Sequence, residues 1–320
     1  MISIQNIQLA QKRIQSYIYS TPLVRVKALD EVLKCKVYIK AENMQISNSF
    51  KIRGALNKIL SMPEEQLQNG IVVTSSGSHA IATSYAARLR GVKVIAILRD
   101  TSPQCKRKLI QELGSEVIVL PHEKRIEKAE ELVDAKGYTY IHPYEDYDIM
   151  NGHGTVGLEI IDENPSINKI VIPMGGGGLA AGLSTAVKMN FPNIKIIGCE
   201  PTVFSRFTRS IEAGRPIEVK SQSSVADALL PLKPGEMAFP YIQRNVDKIL
   251  TVNERSIING AFILLTKGKI FAEISSAIVI GAVLQDFNCF SKEDKVCFLI
   301  SGGNSDINIL HTILHSLNKG

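Results

Sequence analysis

Short runs of β-branched and aliphatic residues, spaced by segments of helical length, constrain this chain more than any other feature. Ile71-Val72-Val73, Val94-Ile95-Ala96-Ile97-Leu98 and Val117-Ile118-Val119-Leu120 are continuously apolar. Runs of that kind are strands buried on both faces, which is the habit of parallel sheets. Parallel strands need crossover connections, and the intervening segments have the length and pattern of helices. His79–Leu89 is alanine-rich and stops at Gly91, Gln104–Leu113 stops at Gly114, and a third helix is expected over Arg125–Lys136. Tyr140-Ile141-His142 closes this block as a short strand.

A second α/β series surrounds the first. An opening helix is expected over residues 4–18, broken at Thr21-Pro22-Leu23 because proline cannot continue it. Val37-Tyr38-Ile39 reads as a strand. After the block come a helix over Gly152–Asp162, strand Ile170-Val171-Ile172, helix Leu179–Met189 and strand Ile194–Cys199. Helices Ser256–Lys267 and Ala277–Leu284, strand Val296–Ile300 and a last helix over 307–317 complete the series. The expected fold class is α/β, with two open, twisted, mostly parallel sheets and flanking helices. Residues 62–145 are expected to form a small domain, and 1–61 with 146–320 a large one. At 320 residues and 45% hydrophobic content there is material for both cores.

The totals narrow the partners. Net charge is +6, from 37 basic and 31 acidic residues, without a run of five basic side chains. That is a solvated face rather than a nucleic-acid footprint. No apolar run reaches the roughly 18 residues of a membrane span. Five scattered cysteines, none in a C-x-x-C pair, exclude the common zinc and dithiol spacings. They fit free thiols in a reducing compartment, so a cytoplasmic protein is expected.

Four junctions carry residues suited to chemistry. In Ser47-Asn48-Ser49-Phe50-Lys51-Ile52-Arg53-Gly54-Ala55 a lysine stands just inside a helix start. It is either a solvated surface residue or an amine held against a cofactor. In Pro173-Met174-Gly175-Gly176-Gly177-Gly178-Leu179 four glycines separate a buried strand from a helix. Consecutive glycines are entropically costly. Their N–H groups at a helix N-terminus form an anion cradle suited to phosphate. The spacing matches neither G-x-G-x-x-G nor a G-K-[ST] loop. In Thr74-Ser75-Ser76-Gly77-Ser78-His79 three hydroxyls meet another helix N-terminus, a receptor for a carboxylate. Ser301-Gly302-Gly303-Asn304 ends the last buried strand, where open α/β sheets place ligand groups.

With these motifs together, the chain resembles the fold-type II pyridoxal-phosphate enzymes, a tryptophan synthase β-like fold. Within them it is most similar to the serine/threonine dehydratase and serine racemase branch. The likeness runs from Thr21-Pro22-Leu23 through Ser49–Ala55, Ser75–His79 and Gly175–Leu179 to Cys199-Glu200-Pro201, Ala226-Asp227 and Ser301–Asn304. It implies that Lys51 joins pyridoxal 5′-phosphate through its amine and that Phe50 lies against the ring. Gly175, Gly176, Gly177, Gly178 and Leu179 would hold the phosphate. Ser301 would meet the pyridine nitrogen, Ser78 the cofactor's edge, and Glu273 matches an active-site glutamate. Ser75, Ser76, Ser78 and His79 would receive the substrate carboxylate. Ser76 matches the hydroxyl that acts as an acid or base on the face opposite the lysine.

The activity implied is an ammonia-lyase that converts a β-hydroxy amino acid such as L-threonine or L-serine to a 2-oxo acid and ammonia. Serine racemase-type chemistry, or a diverged cofactor-binding protein with altered catalysis, are the alternatives. A homodimer acting on a small-molecule amino acid, away from nucleic acid and membrane, is the implied setting. Four departures stand out. Ser78 replaces the usual asparagine, Ala228 follows Ala226-Asp227 in place of glycine, and Ile274 follows Glu273 in place of proline. The fourth lies in the cation site of the racemase branch, which uses a glutamate, a carbonyl four residues on and an aspartate six on. Those positions are Glu200, Phe204 and Arg206 here. An arginine cannot ligate a cation, so no metal is expected and the guanidinium is expected beside Glu200.

Overall fold

In a computed structural model of the chain, which describes residues 1–311 and 313, the strands form two separate sheets. Ten strands are labelled in chain order. These are β1 (Leu23–Arg25), β2 (Lys36–Ala41), β3 (Ile71–Ser75), β4 (Val94–Arg99), β5 (Glu116–Leu120), β6 (Thr139–Tyr140), β7 (Lys169–Pro173), β8 (Lys195–Pro201), β9 (Lys248–Val252) and β10 (Lys295–Ile300). The larger sheet has the order β1-β2-β10-β7-β8-β9, and the smaller β5-β4-β3-β6. Every pairing is parallel except β1 with β2. The two mostly parallel sheets with flanking helices are the expected fold class.

Burial explains why these segments are strands. Val296, Cys297, Phe298, Leu299 and Ile300 are all fully buried, as are Ile170, Val171 and Ile172. Both faces of the larger sheet are covered, so continuous apolar runs are stable there and alternation is not required. The run of β5, at the edge of the smaller sheet, is not buried on both faces as expected, and Val119 is exposed. Each fully buried aliphatic or phenyl side chain stabilises the fold by roughly 1.5–3 kcal/mol relative to exposure.

The order of strands positions the site. In the larger sheet β7, β8 and β9 proceed outward in sequence, and the chain then returns to insert β10 between β7 and β2. In the smaller sheet β3, β4 and β5 proceed one way and β6 lies on the other side of β3. Each reversal opens a crevice beyond the carboxyl ends of the strands beside it. The glycine run follows β7, Ser301 follows β10, the serine turn follows β3, and residues 141–144 follow β6.

Helix ends differ from expectation where tertiary contacts override local pattern. The first helix ends at Ile14 rather than residue 18. The helix expected from Gly152 begins at Tyr147, where the Asp146 carboxylate accepts from the N–H groups of Asp148 and Ile149. The packing needs its glycines: a Cβ on Gly152 would lie 2.4 Å from the Arg53 carbonyl oxygen. That contact seats it against the Lys51–Ser61 helix. The helix expected from Ala277 begins at Ile274. β9 is an edge strand with no sequence expectation. Of the helix expected over 307–317, residues 309–311 and 313 are helical, and 312 and 314–317 lie outside the described residues.

Candidate active site

Lys51 opens the Lys51–Ser61 helix with its side chain turned into a cavity of about 450 Å³. The loop before it is pinned to the end of β10. Phe50 N–H donates to the Ser301 carbonyl at 3.0 Å, and Ser49 bridges Gly302. Two residues on, Arg53 is fully buried and bonds Glu42 (2.7 Å) and Glu159 (2.6 Å), which anchors the helix. Lys51 Nζ donates to the Pro143 carbonyl at 3.0 Å and has no carboxylate in ion-pair contact among the described residues. Burial pulls its ammonium down to about 8, against the charge of Glu273. An amine at that level is partly neutral near neutral pH, as a nucleophile or base must be.

The glycine run lies across the cavity. No described residue accepts a hydrogen bond from the N–H of Gly175, Gly176 or Gly177. They precede the Gly178–Asn190 helix, so free N–H groups and the positive end of the helix dipole coincide. Gly177 has φ +104°, and a Cβ on Gly176 would lie 2.4 Å from the Tyr144 ring. Glycine is therefore required by backbone conformation at one position and by close approach at the next.

The serine turn is less uniform than its composition suggests. Ser75 Oγ accepts from the N–H groups of Gly77 (2.9 Å) and Ala80 (3.3 Å), which caps the Ser78–Leu89 helix. Ser78 Oγ accepts from Asn304 Nδ2 at 3.2 Å, so the serine turn meets the loop after β10. Ser76, half-buried, has no hydroxyl partner among the described residues. His79 Nε2 bonds the Ile141 carbonyl at 3.2 Å, and its buried Nδ1 has none. Burial first, then the charge of Lys51, drives this imidazole down to about 3, so it is neutral.

Ser301 Oγ and Ser276 Oγ share a hydrogen bond of 2.9 Å at the end of β10. Glu273 is buried, with Oε2 unpartnered. Burial raises its carboxyl to about 7, partly offset by Lys106. Lys106 in turn faces Asp227 at 3.5 Å. Phe50, Lys51, Ser75, Ser76, Ser78, His79, Gly175–Gly178, Leu179, Glu273 and Ser301 all line the one cavity.

Arg206 lies near enough to Glu200 for each to offset the other's burial, but the two are not bonded. The Glu200 carboxylate accepts from Phe207 N–H (2.9 Å), Thr208 N–H (2.8 Å) and Thr208 Oγ1 (2.8 Å). The fully buried guanidinium donates instead to the carbonyls of Gly175 (3.0 and 2.6 Å), Met174 and Phe204 (2.9 Å). A delocalised cation with five donors matches converging carbonyls better than one carboxylate already capping a helix.

Several cavity residues had no expectation. His142 Nδ1 accepts from the N–H groups of Tyr144 (3.2 Å) and Glu145 (2.8 Å), and its ring meets Tyr144 edge-on at 4.6 Å. Arg99, Arg125 and Tyr140 form the wall beyond the serine turn. Isolated residues in otherwise ordinary segments leave no motif.

Comparison with known proteins agrees with this geometry. The family model described as "Pyridoxal-phosphate dependent enzyme" matches residues 14–302. The L-threonine ammonia-lyase of Thermotoga maritima is 34% identical, covering 100% of this chain and 79% of its own. Among solved structures, a T.th. threonine deaminase has a TM-score of 0.90 at 35% identity, covering 95% of this chain and 99% of its own. Maize serine racemase has a TM-score of 0.92 at 30% identity, covering 99% and 98%.

Proposed function

The chain belongs to the pyridoxal-phosphate dependent enzymes, and on that premise we propose that it is an ammonia-lyase that converts a β-hydroxy amino acid, L-threonine or L-serine, to a 2-oxo acid and ammonia. The observation that carries the reading is the meeting, in one cavity, of a half-buried amine with no carboxylate in ion-pair contact, a glycine run with free N–H groups and a serine turn. The likeness to a threonine ammonia-lyase and a threonine deaminase over nearly the whole chain supports it.

The residues fit the cofactor. Free N–H groups at Gly175–Gly177 suit its phosphate, where a Cβ would fill the space. Ser301 Oγ would meet the pyridine nitrogen, and a hydroxyl there would not hold a proton on it as a carboxylate would. When bound, pyridoxal phosphate supplies an electron sink for charge developing at the substrate Cα.

The protein does the rest. The Ser75–His79 turn, with the N-terminus of the Ser78–Leu89 helix behind it, holds the substrate carboxylate. Lys51 Nζ removes the proton from Cα, and its lowered pKa suits it to that transfer. Phe50 lies beside Lys51, its ring centroid 5.1 Å from Nζ, and offers a flat apolar face. Arg206 holds the carbonyls of Met174 and Gly175, which leaves the following N–H groups facing the cavity. Residues 62–145 act as a small substrate-side domain upon 1–61 and 146–320. The setting is a homodimer in the cytoplasm; five free cysteines support a reducing compartment.

A racemase is the second reading, favoured by the unpartnered Ser76 hydroxyl and the likeness to maize serine racemase. The test uses purified protein with pyridoxal phosphate. A visible absorbance band is expected, altered by Lys51→Ala and by substrate, with 2-oxo acid released from L-threonine or L-serine. D-amino acid in the absence of 2-oxo acid would select the racemase. A colourless protein that no added cofactor reconstitutes would overturn both.

A further inference from the structure

Away from the cavity, an amine and a thiol from distant parts of the chain meet closely. Lys248 opens the edge strand β9, and Cys289 ends the short 3₁₀ turn Phe287–Cys289 that leads toward β10. Lys248 Nζ lies 2.7 Å from Cys289 Sγ. Asp286 Oδ2 lies 3.2 Å from the same sulfur and 3.5 Å from the same nitrogen. Neither Lys248 nor Cys289 lines the cavity, so the pair stands apart from the chemistry proposed above.

The backbone builds this approach from both sides. Lys248 is placed by β8, where Ile197 is its partner in the register. The turn is held by Asp286, whose Oδ1 accepts from Asn288 N–H at 3.1 Å, and by Lys169, whose Nζ donates to the Cys289 carbonyl at 2.7 Å. A separation of 2.7 Å is already the short end for N–H···O, and sulfur is larger than oxygen. The gap is therefore too small for an ordinary N–H···S contact and close to what one bridging atom spans. The other thiols have no such neighbour. Cys35, Cys199 and Cys297 are buried, and burial pushes each of them up, Cys35 and Cys297 to about 12. Among the described residues, Cys289 is the one thiol with a side-chain amine in hydrogen-bond contact. Reactive thiols stand beside a cation and within reach of solvent. Cys289 is half-buried and Lys248 is exposed, so both conditions hold.

We propose that Lys248 and Cys289 form an oxidative modification site, at which dioxygen joins the two side chains through a single oxygen as Nζ–O–Sγ. The inference does not depend on the ammonia-lyase reading. One thiol, one neutral amine and one dioxygen give the bridge and one water. The S–H bond, one N–H bond and the O–O bond break, and S–O and N–O bonds form. The thiol and the amine together lose four electrons, and dioxygen gains them. One oxygen atom stays in the bridge, and the other leaves as water with the two released hydrogens. Asp286 is placed to take the further proton that the Lys248 ammonium gives up first. Two equivalents of a dithiol reverse the step and restore thiol, amine and water. The bridge ties the edge strand β9 to the turn before β10, across 41 residues of chain.

The test is the intact mass of the full chain after incubation in air-equilibrated buffer, with and without later dithiothreitol. The oxidised chain is expected to gain about 14 Da, one oxygen less two hydrogens, and to lose the gain on reduction. Peptide mapping is expected to find Lys248 and Cys289 in one cross-linked species. Lys248→Arg and Cys289→Ser each abolish the gain; both positions reach the surface, so the variants fold. Closing a loop of this length should also raise Tm of the oxidised chain by about 6 °C over the reduced one, a difference absent from Lys248→Arg. An unchanged mass in air overturns the proposal. So does a gain that survives Lys248→Arg, and so do gains of about 16 or 32 Da on Cys289 alone, which are ordinary thiol oxidation.

Discussion

Glu273→Gln is expected to make the chain's stability less sensitive to pH, with a magnitude set by burial. Glu273 is buried, with Oε2 unpartnered, and burial raises its carboxyl from the ordinary 4.5 to about 7. Between those values the folded chain binds a proton that the unfolded chain has released. Stability therefore falls as pH rises from 4.5 to 7 and changes little further above 7. At 1.36 kcal/mol for each pH unit, the ionised side chain costs the folded state about 3 kcal/mol. Glutamine has nearly the same shape and no such titration. The variant should gain on the parent by about 3 kcal/mol between about pH 4.5 and pH 8. With an unfolding entropy of about 2.1 cal/mol/K per residue, that is about 4 °C in Tm for a chain of this length. Thermal melts of cofactor-free parent and variant, at half-unit pH steps, measure the separation. Two curves that stay parallel across that range would refute the buried-carboxyl argument.

Three further outcomes are expected. Gly176→Ala places a Cβ 2.4 Å from the Tyr144 ring, so affinity for pyridoxal phosphate should fall at least tenfold in an absorbance titration, with little change in the far-ultraviolet circular dichroism. Arg53→Ala strips Glu42 of its buried ion-pair partner, leaves Glu159 only Lys40, and should cost about 3–5 kcal/mol in urea unfolding. Phe298→Ala, in the fully buried centre of β10, should cost about 3–5 kcal/mol by the same measurement, through the cavity it leaves.

The strands were legible because parallel sheets covered on both faces use continuous apolar runs, and β3, β4, β7, β8 and β10 each have one; β5 has such a run although it is an edge strand with Val119 exposed. β9 was not: an edge strand of Lys248–Val252 in a less regular stretch carries no such run. The helix from Tyr147 was expected only from Gly152; its own glycines look like breakers in sequence. In the fold they are contact points where the Lys51–Ser61 and Gly178–Asn190 helices approach too closely for a side chain. Its true start rests on a single Asp146 cap.

The site divides in the same way. Lys51, the glycine run, the serine turn and Ser301 stand at strand–helix junctions, and each is visible locally because backbone geometry there demands particular residues. His142, Tyr144, Arg99 and Arg125 are single side chains in unremarked segments, and nothing local distinguishes them from solvated residues. Sequence alone determined that this is a parallel α/β chain with a lysine, a glycine run and a serine turn at strand–helix junctions. Tertiary structure decided that β10 returns between β2 and β7 and that β6 reverses beside β3. Those long-range pairings open two crevices onto one cavity and bring Arg99 and Arg125 to its wall. They depend on contacts between residues far apart in the chain, which no local pattern records.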